Sequence, residues 1–66
     1  MSKILELREK RAKAWDAAKA FLDAKSQNGT LSAEDTATYE KMEAEVVNMG
    51  KDIERLERQA AIDAEL

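Results

Sequence analysis

Tyr39, Met42, Val46, Met49, Ile53, Leu56 and Ala60 follow one another along the second half of the chain at alternating gaps of three and four residues. This is a heptad seam, with Tyr39, Val46, Ile53 and Ala60 in the a positions and Met42, Met49 and Leu56 in d. So narrow a stripe meets another helix rather than wrapping a globular core. β-branched Val46 and Ile53 at a, with Leu56 at d, are side chains that pack well as knobs in such a seam. The pattern predicts a long helix over about residues 33–65. Ile62 and Leu66 leave the strict seam, which points to a drift toward a different partner.

The first half carries a broader face. Ile4, Leu5, Leu7, Ala14, Trp15, Ala18, Phe21 and Leu22 recur at helical spacing, thinning out where Arg8 and Arg11 sit. Good helix formers fill Glu6 to Ala14 and Ser2 can cap the start, so a first helix is predicted over about residues 3–27. Ala12, Ala14, Ala17 and Ala18 would let a second helix approach closely. Trp15 is the one large anchor among them, and reads as a packed residue at a helix–helix contact rather than a ligand-stacking ring.

Ser26-Gln27-Asn28-Gly29-Thr30 is the only break between these segments. Gly29, or Asn28, is expected to supply the left-handed residue that ends a helix. Ser32 is a good N-cap for the second helix, with Glu34 and Asp35 in a first turn where negative charge suits the helix dipole. A loop this short makes its two helices antiparallel neighbours, so the expected fold is all-α, a two-helix antiparallel hairpin or coiled coil. Folding back sets Leu22 near Tyr39, Ala18 near Met42, Trp15 near Val46, and Ile4 or Leu5 near Leu56. The expected helix–helix interface therefore joins Ile4, Leu5, Trp15, Ala18, Phe21 and Leu22 to the seven seam residues.

At ~1.5 Å per residue the two helices reach roughly 37 and 50 Å, so everything beyond about Ala60 should overhang. No glycine or cap follows Leu66, and residues 1–66 read as one hairpin domain that stops inside a helix, as a piece of a longer chain or a fraying terminus would. Gly50, in the middle of the second helix, costs ~1 kcal/mol relative to Ala. It reads as tolerated by a long, well-supported helix, in preference to a close approach or a hinge.

Composition narrows the classes. A 66-residue chain has room for one small core, which rarely supplies more than ~3–5 kcal/mol without a staple. Cys and His are both absent, so neither disulfides nor thiolate or imidazole metal sites can provide one. A partner is the remaining way to stabilise the fold, and self-association into a helical bundle is expected. The charge is split: Met1–Gln27 holds seven Lys or Arg against four Asp or Glu, and Ser32–Leu66 four against ten. A basic half facing an acidic half favours folding one on the other. Lys3, Arg8, Lys10, Arg11 and Lys13 could form a nucleic-acid-contacting arm, but the acidic second half argues against nucleic acid as a partner.

Nothing addresses the chain to a membrane. Charges come too early for a signal peptide, and no apolar run approaches the ~18 residues of a span. Asn28-Gly29-Thr30 fits the glycosylation pattern but reads as a turn. Enzymatic chemistry is not expected. A nucleophilic dyad has no His to serve as base, and a two-helix chain has no deep interior to separate carboxylate pKa values. Glu40 and Glu43 share a face, yet the Glu-x-x-His of carboxylate metal bundles cannot be completed. No catalytic, cofactor-binding or metal-ligating residue is assigned, and no cofactor is expected.

Several segments in order resemble a known family. Leu7–Ala12 (Leu-Arg-Glu-Lys-Arg-Ala) leads into an alanine-rich helix ending in Phe21-Leu22-Asp23. A Gly-Thr-Leu-Ser-Ala-Glu-Asp loop (Gly29–Asp35) is followed by Tyr39–Glu45 and by Ile53-Glu54-Arg55-Leu56-Glu57-Arg58. The layout is similar to the start of tailed-phage major capsid proteins of the Hong Kong 97 type, whose N-terminal delta domain is a fused scaffold. The resemblance implies a self-associating segment that guides prohead assembly inside the immature capsid, in the host cytoplasm, and is then removed by the maturation protease. The rest of the capsid precursor and that protease would be its partners. It carries over no catalytic residues. From the residues alone, a free-standing helical-hairpin adaptor that binds a partner helix stands as the alternative.

Overall fold

The computed structural model describes residues 2–66, all of them within two helices, their caps and one loop. Helix α1 spans Lys3–Lys25 and α2 spans Ala33–Glu65. The fold is the two-helix hairpin that the periodicities predict, with no strand among the described residues. No helix is long and apolar enough to cross a membrane, among the described residues.

Both N-termini are capped by serine. Ser2 Oγ accepts the Leu5 amide at 3.1 Å, and Ser32 Oγ accepts the Asp35 amide at 3.0 Å. In each case an extended cap residue satisfies an amide that has no intrahelical partner. The first helix ends at Lys25, two residues before the expected boundary at 27. Ser26 is the C-cap, and its hydroxyl and its backbone N–H both donate to the Leu22 carbonyl in the last turn. Gly29 is left-handed, with φ +89°, but it shapes the loop rather than terminating the helix. Its amide donates to the Ser26 carbonyl at 2.9 Å, and the Thr30 amide donates to Asn28 Oδ1 at 3.3 Å. The Asn28-Gly29-Thr30 segment is thus a turn.

The hairpin is long and thin, with extents of 55 × 20 × 13 Å. Helix α2 outruns α1, and every residue from Glu57 to Leu66 is exposed. The buried apolar centre is small: Ala18 at 0%, Ile53 at 5% and Val46 at 8% exposure, with Gly50 also buried. Ile4, Leu7, Ala14, Phe21 and Leu22 on α1, and Tyr39, Met42, Met49 and Leu56 on α2, are half-buried along the same contact. Val46 and Ile53 contribute ~1.5–3 kcal/mol each on burial, which is modest beside the entropy of ordering two long helices. The surface reflects this. The accessible area is 5133 Å², against ~4200 Å² for a compact monomer of this mass, an excess of roughly 900 Å².

Candidate helix-association site

The contact between the helices is polar at its middle. Arg11 lies opposite Gly50, one turn along from the expected Trp15–Val46 pairing, and its Nε–H donates to the Val46 carbonyl at 3.2 Å. A Cβ on residue 50 would stand 2.9 Å from Arg11 Nη2, 3.0 Å from Cζ and 3.2 Å from Nε. The guanidinium occupies the space that a side chain at residue 50 would take, and would have to shift to admit one. The expectation that Gly50 is simply tolerated gives way to close approach, made by a side chain of α1 rather than by its backbone. Glycine opens a notch in α2, the Arg11 head crosses it, and a mid-helix carbonyl gains a second donor.

One step toward the N-terminus of α1, Arg8 Nη2 reaches Glu57 Oε2 at 2.6 Å. Both side chains are about half exposed, so the pair is worth ~0–1 kcal/mol and fixes alignment more than stability. It joins the basic half to the acidic half, in the sense that the charge split predicts. Asp16–Lys19 and Asp52–Arg55 are local i,i+3 pairs at 3.7 and 3.1 Å and carry no interhelical information. At the loop end, the Tyr39 hydroxyl donates to Glu43 Oε2 at 2.9 Å. That hydrogen bond, with smaller contributions from desolvation and from the carboxylate charge, raises the phenol above its ordinary value.

Beside this contact the two helices leave an open groove of about 640 Å³. Arg8, Arg11, Ala12 and Trp15 line it from α1, and Glu43, Val46 and Val47 from α2. Trp15 is not sealed into the hairpin as the expected anchor. It remains 37% exposed and forms one wall, with Lys19 Nζ 5.7 Å from its ring centroid. Val47, outside the predicted seam, forms the opposite wall and is also exposed.

The other expected interface residues divide. Ile4, Ala18, Phe21 and Leu22 of α1 and Tyr39, Met42, Val46, Met49, Ile53 and Leu56 of α2 are all at least half-buried. Leu5 and Ala60 are not. Leu5 stands out into solvent because, between Ile4 and Leu5, the face turned to α2 accommodates only Ile4. Ala60 is exposed, like every residue of α2 from Glu57 onward, because α2 outruns α1, which starts at Lys3. Arg11, Gly50 and Val47 were absent from the expected interface. The gap in the apolar face at Arg11 and the glycine in α2 were both visible in the sequence, but nothing linked them before folding.

Of the five cations that could form a nucleic-acid arm, two are engaged, Arg8 by Glu57 and Arg11 by the Val46 carbonyl. What the site offers is a partly apolar trough between two helices, rimmed by charge. No family model matches this chain, and neither a curated protein nor a solved structure is significantly similar to it.

Proposed function

We propose that this chain is a self-associating helical-hairpin scaffold segment. The observation that carries the reading is the excess of roughly 900 Å² of accessible surface over a compact monomer, on a hairpin whose buried apolar centre, among the described residues, is three side chains. The excess is close to the ~800 Å² that each partner contributes to a standard protein interface. A fold so thinly packed gains its missing burial from further helices. With α2 acidic and α1 basic, helices of other copies have a complementary surface to meet.

The resemblance to capsid delta domains gives this association a purpose. Shell contacts must be individually weak to allow correction of errors, and a separate oligomerising hairpin raises the effective concentration of neighbouring subunits without stiffening them. Such a segment is useful during assembly and expendable afterwards, in keeping with proteolytic removal. We infer that the chain guides prohead assembly in this way.

Sedimentation equilibrium of the isolated chain from micromolar to millimolar concentration tests the association. Oligomers are expected. A folded monomer throughout would remove the scaffold reading and favour an adaptor whose groove takes a foreign helix. For the assembly role, particles formed by the capsid precursor with and without residues 1–66 are compared by electron microscopy. Aberrant or missing shells are expected from the truncated form, and uniform normal shells would count against the role.

A further inference from the structure

The loop between the helices holds the chain's one Asn-Gly pair, Asn28-Gly29. Both residues are exposed and neither belongs to a helix. The Asn28 side-chain amide is an electrophile at Cγ, and the Gly29 backbone nitrogen is the atom that can close a succinimide ring onto it. Two features block such a closure: a side chain crowding the following residue, and a following amide committed to a helix. Neither applies at Asn28. A Cβ at residue 29 would meet nothing within 4 Å, and glycine places no atom there. The Gly29 amide donates to the Ser26 carbonyl at 2.9 Å, within an exposed turn. Asn28 Oδ1 accepts from the Thr30 amide at 3.3 Å and from its hydroxyl at 3.4 Å, both long for hydrogen bonds, so the side chain is held loosely. Asn48 is the internal contrast. It lies inside α2 and precedes half-buried Met49, whose amide the helical pattern commits to the Glu45 carbonyl.

We propose that Asn28 is a self-modification site, which cyclises onto Gly29 and converts to a mixture of aspartyl and isoaspartyl residues. The Gly29 nitrogen gives up its proton to hydroxide and attacks Asn28 Cγ. The Cγ–Nδ2 bond breaks, and Nδ2 takes up a proton and leaves as ammonia. Water then opens the succinimide at either carbonyl. Cleavage of the new N–Cγ bond restores the ordinary backbone with an aspartyl side chain. Cleavage of the original peptide C–N bond leaves the chain running through Cγ, an isoaspartyl linkage. The net change is amide plus water to carboxylic acid plus ammonia, without oxidation or reduction. Each product adds a negative charge to a chain whose formal net charge is −3. The isoaspartyl form also lengthens the loop backbone and displaces the oxygen that serves Thr30. The interhelical bonds of Arg8 and Arg11 do not involve Asn28, so both helices survive the change. Nothing in the reaction depends on self-association.

The full chain is incubated at neutral and mildly alkaline pH, its helices monitored by circular dichroism, and its tryptic peptides followed by mass. Asn28 falls in Ser26–Lys41 and Asn48 in Met42–Lys51, so each asparagine reports separately. Ser26–Lys41 should gain the mass difference between OH and NH2, split into two chromatographic forms, and accept methyl groups from an isoaspartyl methyltransferase. Met42–Lys51 should stay unchanged over the same period. The rate should rise in proportion to hydroxide. The synthetic Ser26–Lys41 peptide gives the unrestrained rate. A single hydrogen bond, from Gly29 to Ser26, holds the attacking nitrogen, so the folded chain should react within about tenfold of that peptide. Asn28→Gln should abolish the change, because the longer side chain must close a larger ring, and Asn48→Gln should leave it intact. A folded chain whose Asn28 stays unmodified while the free peptide converts would overturn the proposal, and so would equal conversion at Asn48.

Discussion

Replacing Gly50 by alanine separates helix propensity from tertiary contact. In an isolated helix the change stabilises by about 1 kcal/mol. Here the new methyl would meet the Arg11 guanidinium at 2.9–3.2 Å, tighter than nearly all real Cβ contacts. Arg11 is long and flexible, so its head yields and the helices need not separate. What is lost is the 3.2 Å bond from Arg11 Nε to the Val46 carbonyl. A hydrogen bond from a charged donor contributes ~1.5–3 kcal/mol when well shielded, and this partly exposed one nearer ~1 kcal/mol. The carbonyl keeps its own helical amide partner, so no orphaned acceptor adds to the loss. Gain and loss nearly cancel, and Gly50→Ala in the native chain should change stability by no more than about 0.5 kcal/mol. In an Arg11→Ala background nothing opposes the methyl, and the same substitution should stabilise by about 1 kcal/mol, or roughly 4–8 °C in Tm. Urea and thermal unfolding followed by circular dichroism, at one fixed protein concentration, give the four corners of the cycle. A coupling near 1 kcal/mol is expected. The full gain in the native background, with no coupling to Arg11, would show that the glycine does not serve the arginine.

Further outcomes follow from the same contacts. Ile53→Asp, at 5% exposure, should destabilise by several kcal/mol because it buries an unpaired charge, and Met49→Asp by less, while exposed Lys41→Asp should leave the melt nearly unchanged. Equal melts for the three would refute the seam. Ser32→Ala removes the acceptor of the Asp35 amide and should cost about 1 kcal/mol, visible as a lower urea midpoint with unchanged slope. Tyr39 is the only tyrosine, so absorbance near 295 nm titrates it alone; its midpoint should lie above 10.0 and fall toward that value in Glu43→Gln. The raised value means that the folded state favours the neutral phenol. That contribution is complete below pH 10 and is lost as pH rises through the folded midpoint.

The backbone of this protein was legible in its sequence because helical periodicity, caps and breaks are local. The gaps of three and four from Tyr39 to Leu56 placed one side of α2, and each of those residues is half-buried or buried. Ser2 and Ser32 declared both helix starts through their own geometry, and the short loop made the hairpin. The end of α1 was harder to read: the helix stops at Lys25 with Ser26 as its C-cap, three residues ahead of the left-handed Gly29 that had seemed the stop. The site itself needed the tertiary structure. Arg11 and Gly50 are separated by thirty-eight residues, and each alone looked like a flaw, one a charge in an apolar face and the other a weak helix former. Only the lateral offset between two packed helices determines that they meet, that Trp15 and Val47 become opposite walls of a groove, and that Leu5 and Ala60 face solvent. A sequence period identifies a stripe around one helix. How far a neighbouring helix covers that stripe, and what a long side chain reaches across it, depends on where the two axes come to rest.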